Sequence, residues 1–207
     1  MSSRANRDRG VRTRGALRAA AYRMFLEQGY DKTTVAQIAA EAGVSHMTFF
    51  RHFPTKEDVV LRDEYDPMLE RLVRERPAGE PPVVRIRNAL MSALPDVYER
   101  EREQLLLRTR LILDTPALRH RMGDSIRSSQ EAFERGLAPG AEPPPLPVRA
   151  LAAACTAALA AAVTAWAESD GAADLPALVD EALGALAGAS TGEGSAPWAT
   201  TPSGSTG

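Results

Sequence analysis

The side chains able to do chemistry are few, and their types point to binding anions, not to catalysis. The 207-residue chain holds three histidines, His46, His52 and His120, and one cysteine, Cys155. These form no metal-ligand constellation and no Ser-His-Asp arrangement, and no glycine-rich phosphate loop is present. The sequence therefore predicts no enzyme, no metal and no cofactor. Cys155 reads as a small core residue in an alanine-rich stretch, with a dimer-bridging thiol sensor as the alternative. Arginine is the abundant functional group. Residues 1–56 carry ten Arg and Lys against four Asp and Glu, whereas residues 57–207 carry fifteen against twenty-three, so the net charge of −2 hides a basic head on an acidic body. Such a head suits a polyanion. In the body, Arg108 and Arg110 stand within an apolar run and are the candidates for meeting an anionic headgroup. Leu90, Met91, Leu94, Leu106, Ile112, Met122, Ile126 and Phe133 are candidates to line an apolar pocket between helices. With so few aromatics to stack on flat molecules, they favour a flexible aliphatic ligand.

The elements that must position these groups are helical. Hydrophobic residues make up 44% of the chain and charged residues 25%, but aromatics only 5%, and alanine and leucine dominate. That composition favours packed helices over sheets. Leu17, Ala20, Ala21, Met24 and Phe25 recur at helical spacing, and Gly29 ends that helix. Thr33 or Thr34 can cap a short helix with Val35, Ile38, Ala39 and Ala42 inward. Gly43 breaks it, and Ser45 can cap a third helix running to about His52. Two short helices about a glycine turn make a helix-turn-helix, braced by the first helix. A long helix is expected from Thr55 through Val73, then helices over 83–98, 101–114, from Pro116 to Leu137, over 148–169 and over 175–189. The five prolines of 139–147 make a loop. The domain reading is a flexible basic arm (1–11), whose Arg4, Arg7, Arg9 and Arg12 carry its charge, and a three-helix DNA-binding head (12–56). A helical-bundle domain (57–189), to which the resemblance described below assigns effector binding and dimerisation, and a disordered tail (190–207) follow. The fold class is all-α.

Ala150 to Ala167 has no charge and, at 18 residues, approaches the length of a membrane span. Alanines and threonines give little insertion energy, so a helix packed on two sides, against its own domain and a partner subunit, is the better reading. With no secretory signal visible, the cytoplasm is the expected compartment.

The segment from Thr33 to Asp58, Thr-Thr-Val-Ala-Gln-Ile-Ala-Ala-Glu-Ala-Gly-Val-Ser-His-Met-Thr-Phe-Phe-Arg-His-Phe-Pro-Thr-Lys-Glu-Asp, resembles the DNA-binding domain of the TetR family of bacterial transcriptional regulators. The resemblance covers roughly residues 12–60 and implies a dimer with a divergent C-terminal effector domain. It assigns Ser45 as the cap of the recognition helix, and His46 and Met47 to base edges. Thr48, His52, Lys56 and one of Thr33 and Thr34 go to the DNA backbone, Arg51 is a further DNA-binding residue, and Lys56 is implied to open the fourth helix. Phe50 stands where the family usually has a tyrosine; it lacks the hydroxyl, which leaves apolar contact with a thymine methyl. A two-fold dimer implies a palindromic operator of double-stranded DNA. The stretch from Phe49 to Leu61, with the run 110–119, is similar to regulators with acyl-CoA-type ligand domains, including mycofactocin-associated ones, and implies an anionic acyl effector. The alternative is a sequence-independent DNA-binding protein without an effector.

Overall fold

The computed structural model describes residues 2–62 and 65–191. Ten α-helices and no strand occur among the described residues. They are α1 (Ser2–Gln28), α2 (Val35–Glu41), α3 (His46–His52), α4 (Asp58–Leu61), α5 (Asp66–Glu75), α6 (Pro82–Met91), α7 (Leu94–Asp114), α8 (Pro116–Leu137), α9 (Leu146–Glu168) and α10 (Leu175–Thr191). The chain divides into two compact units, residues 1–64 with 103–127, and residues 65–102 with 128–207.

The first unit contains α1 to α4. Leu17, Ala21 and Phe25 of α1 pack with Ile38 of α2, Phe49 and Phe53, and Val59 and Val60 of α4. Leu118 of α8 is wholly buried in the same core, and Leu107, Leu111 and Ile112 of α7 pack against it. This corrects the expected domain boundary at residue 57, because α4 and the segment 103–127 share the apolar core of the head. The expected arm is also corrected. Residues 2–11 continue α1, since arginine and alanine are strong helix formers and no proline interrupts them.

The second unit is built on α5, α6, α9 and α10, with the ends of α7 and α8. Trp166 and Cys155 of α9, Val179 and Leu183 of α10, and Ile86 of α6 are fully buried. The Arg87 guanidinium grips the Asp180 carboxylate with two bonds, 2.8 and 2.7 Å, fastening α6 to α10. Asp66 at the start of α5 accepts from the Ser128 and Ser129 hydroxyls of α8. By length and hydropathy α9 could cross a membrane, but here it packs Ala152, Cys155, Ala162 and Trp166 into this unit.

Two helices expected to be continuous are broken, each at a proline. Between α4 and α5 the chain leaves helical geometry at Arg62, and Pro67 lies in the first turn of α5. Pro95 likewise sits at the start of α7, so the helix expected over 83–98 ends at Met91. A proline inside a helix displaces the carbonyl four residues back, at a cost of about 3 kcal/mol, so both helices restart there. The expected gap before residue 101 is instead a kink at Glu101 (φ −128°, ψ 15°) within α7. The tail expected from Ser190 begins later, since α10 includes Ser190 and Thr191; its remainder lies outside the described residues.

Candidate nucleic-acid interface

Local chemistry sets the two short helices. Thr34 caps α2 in a reciprocal capping box: its hydroxyl accepts from the Gln37 amide N–H, and the Gln37 side chain accepts from the Thr34 amide. Gly43 ends α2 at φ +67°. Its N–H donates to Ala40 O and the Val44 N–H donates to Ala39 O, the Schellman pattern that a left-handed glycine permits. Ser45 then caps α3, its hydroxyl accepting from the Thr48 N–H at 3.1 Å. The Ser45 and Thr48 hydroxyls share a further bond of 2.9 Å, and Arg51 donates to Thr48 Oγ1 at 3.2 Å.

Helical periodicity divides α3 into two faces. Phe49, and Phe53 just beyond the helix, are fully buried, as read from the sequence. His46, Met47, Phe50 and Arg51 are exposed on the other face. Met47 is 72% exposed and Phe50 39%, unusual for large apolar side chains on so short a helix. The His46 and Phe50 rings meet edge to face at 4.8 Å, which orients both outward.

Other expected contacts are placed differently. Thr33 is buried; its hydroxyl donates to Gly29 O at 2.8 Å and accepts from Gln28 Nε2. At the start of α2, Thr34 is therefore the exposed hydroxyl. Lys56 is half-buried, its ammonium donating to Tyr30 O (2.9 Å) and Thr33 O (3.2 Å) and lying 4.0 Å over the Tyr30 ring. Nor does Lys56 open α4, which begins at Asp58. The Asp58 carboxylate accepts from the Thr55 amide and hydroxyl and occupies the helix start. Arg121 of α8 donates to Thr55, Glu57 and Asp58. Burial opposes ionisation of Glu57, but bonds from its own backbone N–H, Tyr30 and Thr55 and the charge of Arg121 hold it below the ordinary carboxylate range. No local signal announces the bonds that Arg121 and Tyr30 make here, since their partners lie far apart in sequence.

His52, at the end of α3, is half-buried, and its carbonyl accepts from Arg62. Burial, reinforced by the positive charges of Arg14, Arg51 and Arg62, holds its imidazole below the usual histidine range.

The expected effector residues fall in both units. Leu90, Met91, Leu94 and Phe133 belong to the second, with Phe133 wholly buried; Arg108, Arg110, Met122 and Ile126 belong to the first. Leu106 and Ile112 also lie in the first, both half-buried. Arg108 donates to the Val60 and Leu61 carbonyls at the end of α4. Among the described residues no cluster of three or more His, Cys, Asp or Glu side chains could hold a metal ion.

Residues 17–62 match the model for bacterial regulatory proteins of the tetR family, and residues 80–191 match that of the MftR C-terminal domain. TcmR, an HTH-type transcriptional regulator of Streptomyces glaucescens, is 37% identical over 127 residues, covering 58% of this chain and 55% of TcmR. The match thus spans about half the length of that relative. Among solved structures, FadR of Thermus thermophilus, a TetR-family repressor in complex with lauroyl-CoA, has a TM-score of 0.53 at 24% identity, covering 92% of this chain and 100% of FadR. SmeT of Stenotrophomonas maltophilia, a multidrug efflux pump repressor in complex with triclosan, has a TM-score of 0.57 at 19% identity, covering 93% and 99%. At these identities the likeness is one of fold.

Proposed function

Because the chain belongs to the tetR family of bacterial regulatory proteins, whose members are DNA-binding transcription factors and not enzymes, we propose that it is a dimeric repressor. It is released from a palindromic operator by a small anionic, acyl-chain effector. The observation that carries this reading is the exposed face of α3, where His46, Met47, Phe50 and Arg51 stand outward on a helix capped at its start by Ser45. Side chains of this kind enter a major groove, while Thr34, Thr48, Arg51 and His52 serve the phosphates that fix the docking. One seven-residue helix reads few base pairs, so specificity requires two heads and a two-fold operator. Ala153, Ala157, Ala161 and Ala165 lie exposed at four-residue spacing along α9, a small-residue face that suits close packing of a second subunit. A regulator of this kind works in the cytoplasm, beside its operator.

Effector binding favours a dimer geometry whose heads no longer match the half-site spacing, provided the ligand binds the two geometries unequally. The aliphatic candidates and Arg108 and Arg110 support an acyl chain with an anionic headgroup, and lauroyl-CoA in the similarly folded FadR accords with this. Capture of Arg108 by a headgroup would cost α4 the two bonds at its C-terminal carbonyls. That links the effector to the reading head.

Selection of bound duplexes from a random pool at near-physiological salt tests the reading. An enriched palindrome is expected, with release by long-chain but not short-chain acyl-CoA in anisotropy titrations. Binding without enrichment would overturn the operator, and equal effects of acyl-CoA and free CoA would overturn the acyl effector.

A further inference from the structure

We propose that Arg14, Arg51, His52 and Arg62 form a binding site for a backbone phosphate of DNA at the C-terminal end of α3. The four residues come from three parts of the fold: Arg14 from α1, Arg51 and His52 from the last turn of α3, and Arg62 from the residue following α4. Arg62 Nη1 donates to the His52 carbonyl at 3.3 Å. On the other side α1 runs close to the imidazole, a Cβ at Gly10 lying 4.0 Å from His52 Cε1. Arg14 Nε is buried and has no hydrogen-bond partner.

Two arginines elsewhere in the unit have carboxylate partners. Arg23 pairs with Glu41, and Arg121 with Glu57 and Asp58. Among the described residues no carboxylate pairs with Arg14, Arg51 or Arg62. A helix C-terminus offers only about half a negative charge, and the single bond from Arg62 to the His52 carbonyl uses it. Among the described residues, three guanidiniums and an imidazole therefore gather without a carboxylate partner, and the buried Arg14 Nε–H lacks an acceptor. A phosphate supplies both the negative charge and the acceptor. The position fits as well. A seven-residue helix is about 10 Å long, close to the roughly 12 Å width of a major groove. With the start of α3 in the groove, its far end meets the flanking sugar-phosphate strand.

The site couples DNA binding to a proton. In the free protein, burial and the charges of Arg14, Arg51 and Arg62, which face His52 from α1, from its own helix and from beyond α4, keep the imidazole short of protons. A bound phosphate offsets those charges and accepts from the protonated ring, so the complex takes up a proton that the free head does not hold. Affinity then rises as pH falls between the higher value of the complex and the lower value of the free protein.

This inference rests on the DNA-binding reading above, and the test separates the two. Anisotropy titrations of the selected operator are made across salt and from about pH 8 to about pH 5.5, with folding checked by circular dichroism. Arg14→Gln and Arg62→Gln are each expected to reduce the slope of log affinity against log salt by about 1, weakening all duplexes alike, while Arg14→Lys and Arg62→Lys keep the slope. His52→Gln is expected to abolish tightening at low pH, which His46→Gln retains. Wild-type binding with unchanged slopes in both glutamine variants, or full pH dependence in His52→Gln, overturns the site while leaving the DNA-binding reading intact. No binding by the wild type to any duplex overturns both.

Discussion

The Arg108 guanidinium of α7 donates from Nε to the Val60 carbonyl of α4 at 2.8 Å, and from Nη2 to Leu61 O at 3.2 Å. From α1, Arg18 donates to Val59 O and Arg62 O, so two guanidiniums serve four consecutive carbonyls at the end of a four-residue helix. A helix this short cannot sustain itself and depends on such partners. Arg108→Met is expected to lower unfolding free energy by about 1.5–3 kcal/mol, the range for charged hydrogen bonds. Urea titration measures it. A change within error would show that water replaces the guanidinium without cost.

On the face of α3 proposed to read DNA, Phe50 presents a ring without a hydroxyl. Phe50→Tyr is expected to tighten operator binding on the order of threefold, one modest hydrogen bond to the DNA backbone. The dissociation constant at fixed salt decides it. Unchanged affinity would mean that the ring serves chiefly to orient His46.

Gly136 has no room for a side chain. A Cβ there would lie 2.8 Å from Val73 Cβ and 2.9 Å from the Glu70 carbonyl oxygen. Gly136→Ala must push α8 away from α5, and a loss of about 1–3 kcal/mol is expected in thermal or urea unfolding. An unaltered midpoint would mean that these helices separate freely.

The Cys155 thiol is fully buried, and burial pushes its pKa up to about 11. Little thiolate exists at neutral pH, so an aromatic disulfide reagent is expected to label it only as fast as the protein unfolds. Peroxide is expected to leave DNA affinity unchanged. Rapid labelling of the folded protein would revive the redox-sensor alternative.

Glu57 is held ionised by its bonds to Tyr30 and Thr55 and by Arg121, so its folded-state pKa lies below the unfolded value. The stability it contributes is present above the unfolded pKa and is lost as pH falls through the folded one. Glu57→Gln is expected to be less stable than wild type at neutral pH, with the difference shrinking in acid. A difference constant with pH would assign the loss to packing instead.

Legible in the sequence were features that neighbouring residues decide: the all-α class, the capped pair of short helices, the Gly43 turn and the burial of Phe49 and Phe53. Capping boxes and glycine turns act within a few residues, and helical periodicity needs only one turn to declare a face. Pro67 and Pro95 were legible too, and would have placed two breaks that apolar spacing alone ran through. The tertiary structure decided which polar groups remain available to a ligand. Thr33 and Thr34 are equivalent as sequence, but one hydroxyl turns back to Gly29 and the other caps α2. Lys56 and Arg108 look like free cations until folding brings carbonyls from 26 and 48 residues away to meet them. It also decided that 103–127 shares the core of the head. Long side chains choose partners by proximity in space, and that proximity comes into being only when the apolar faces have packed.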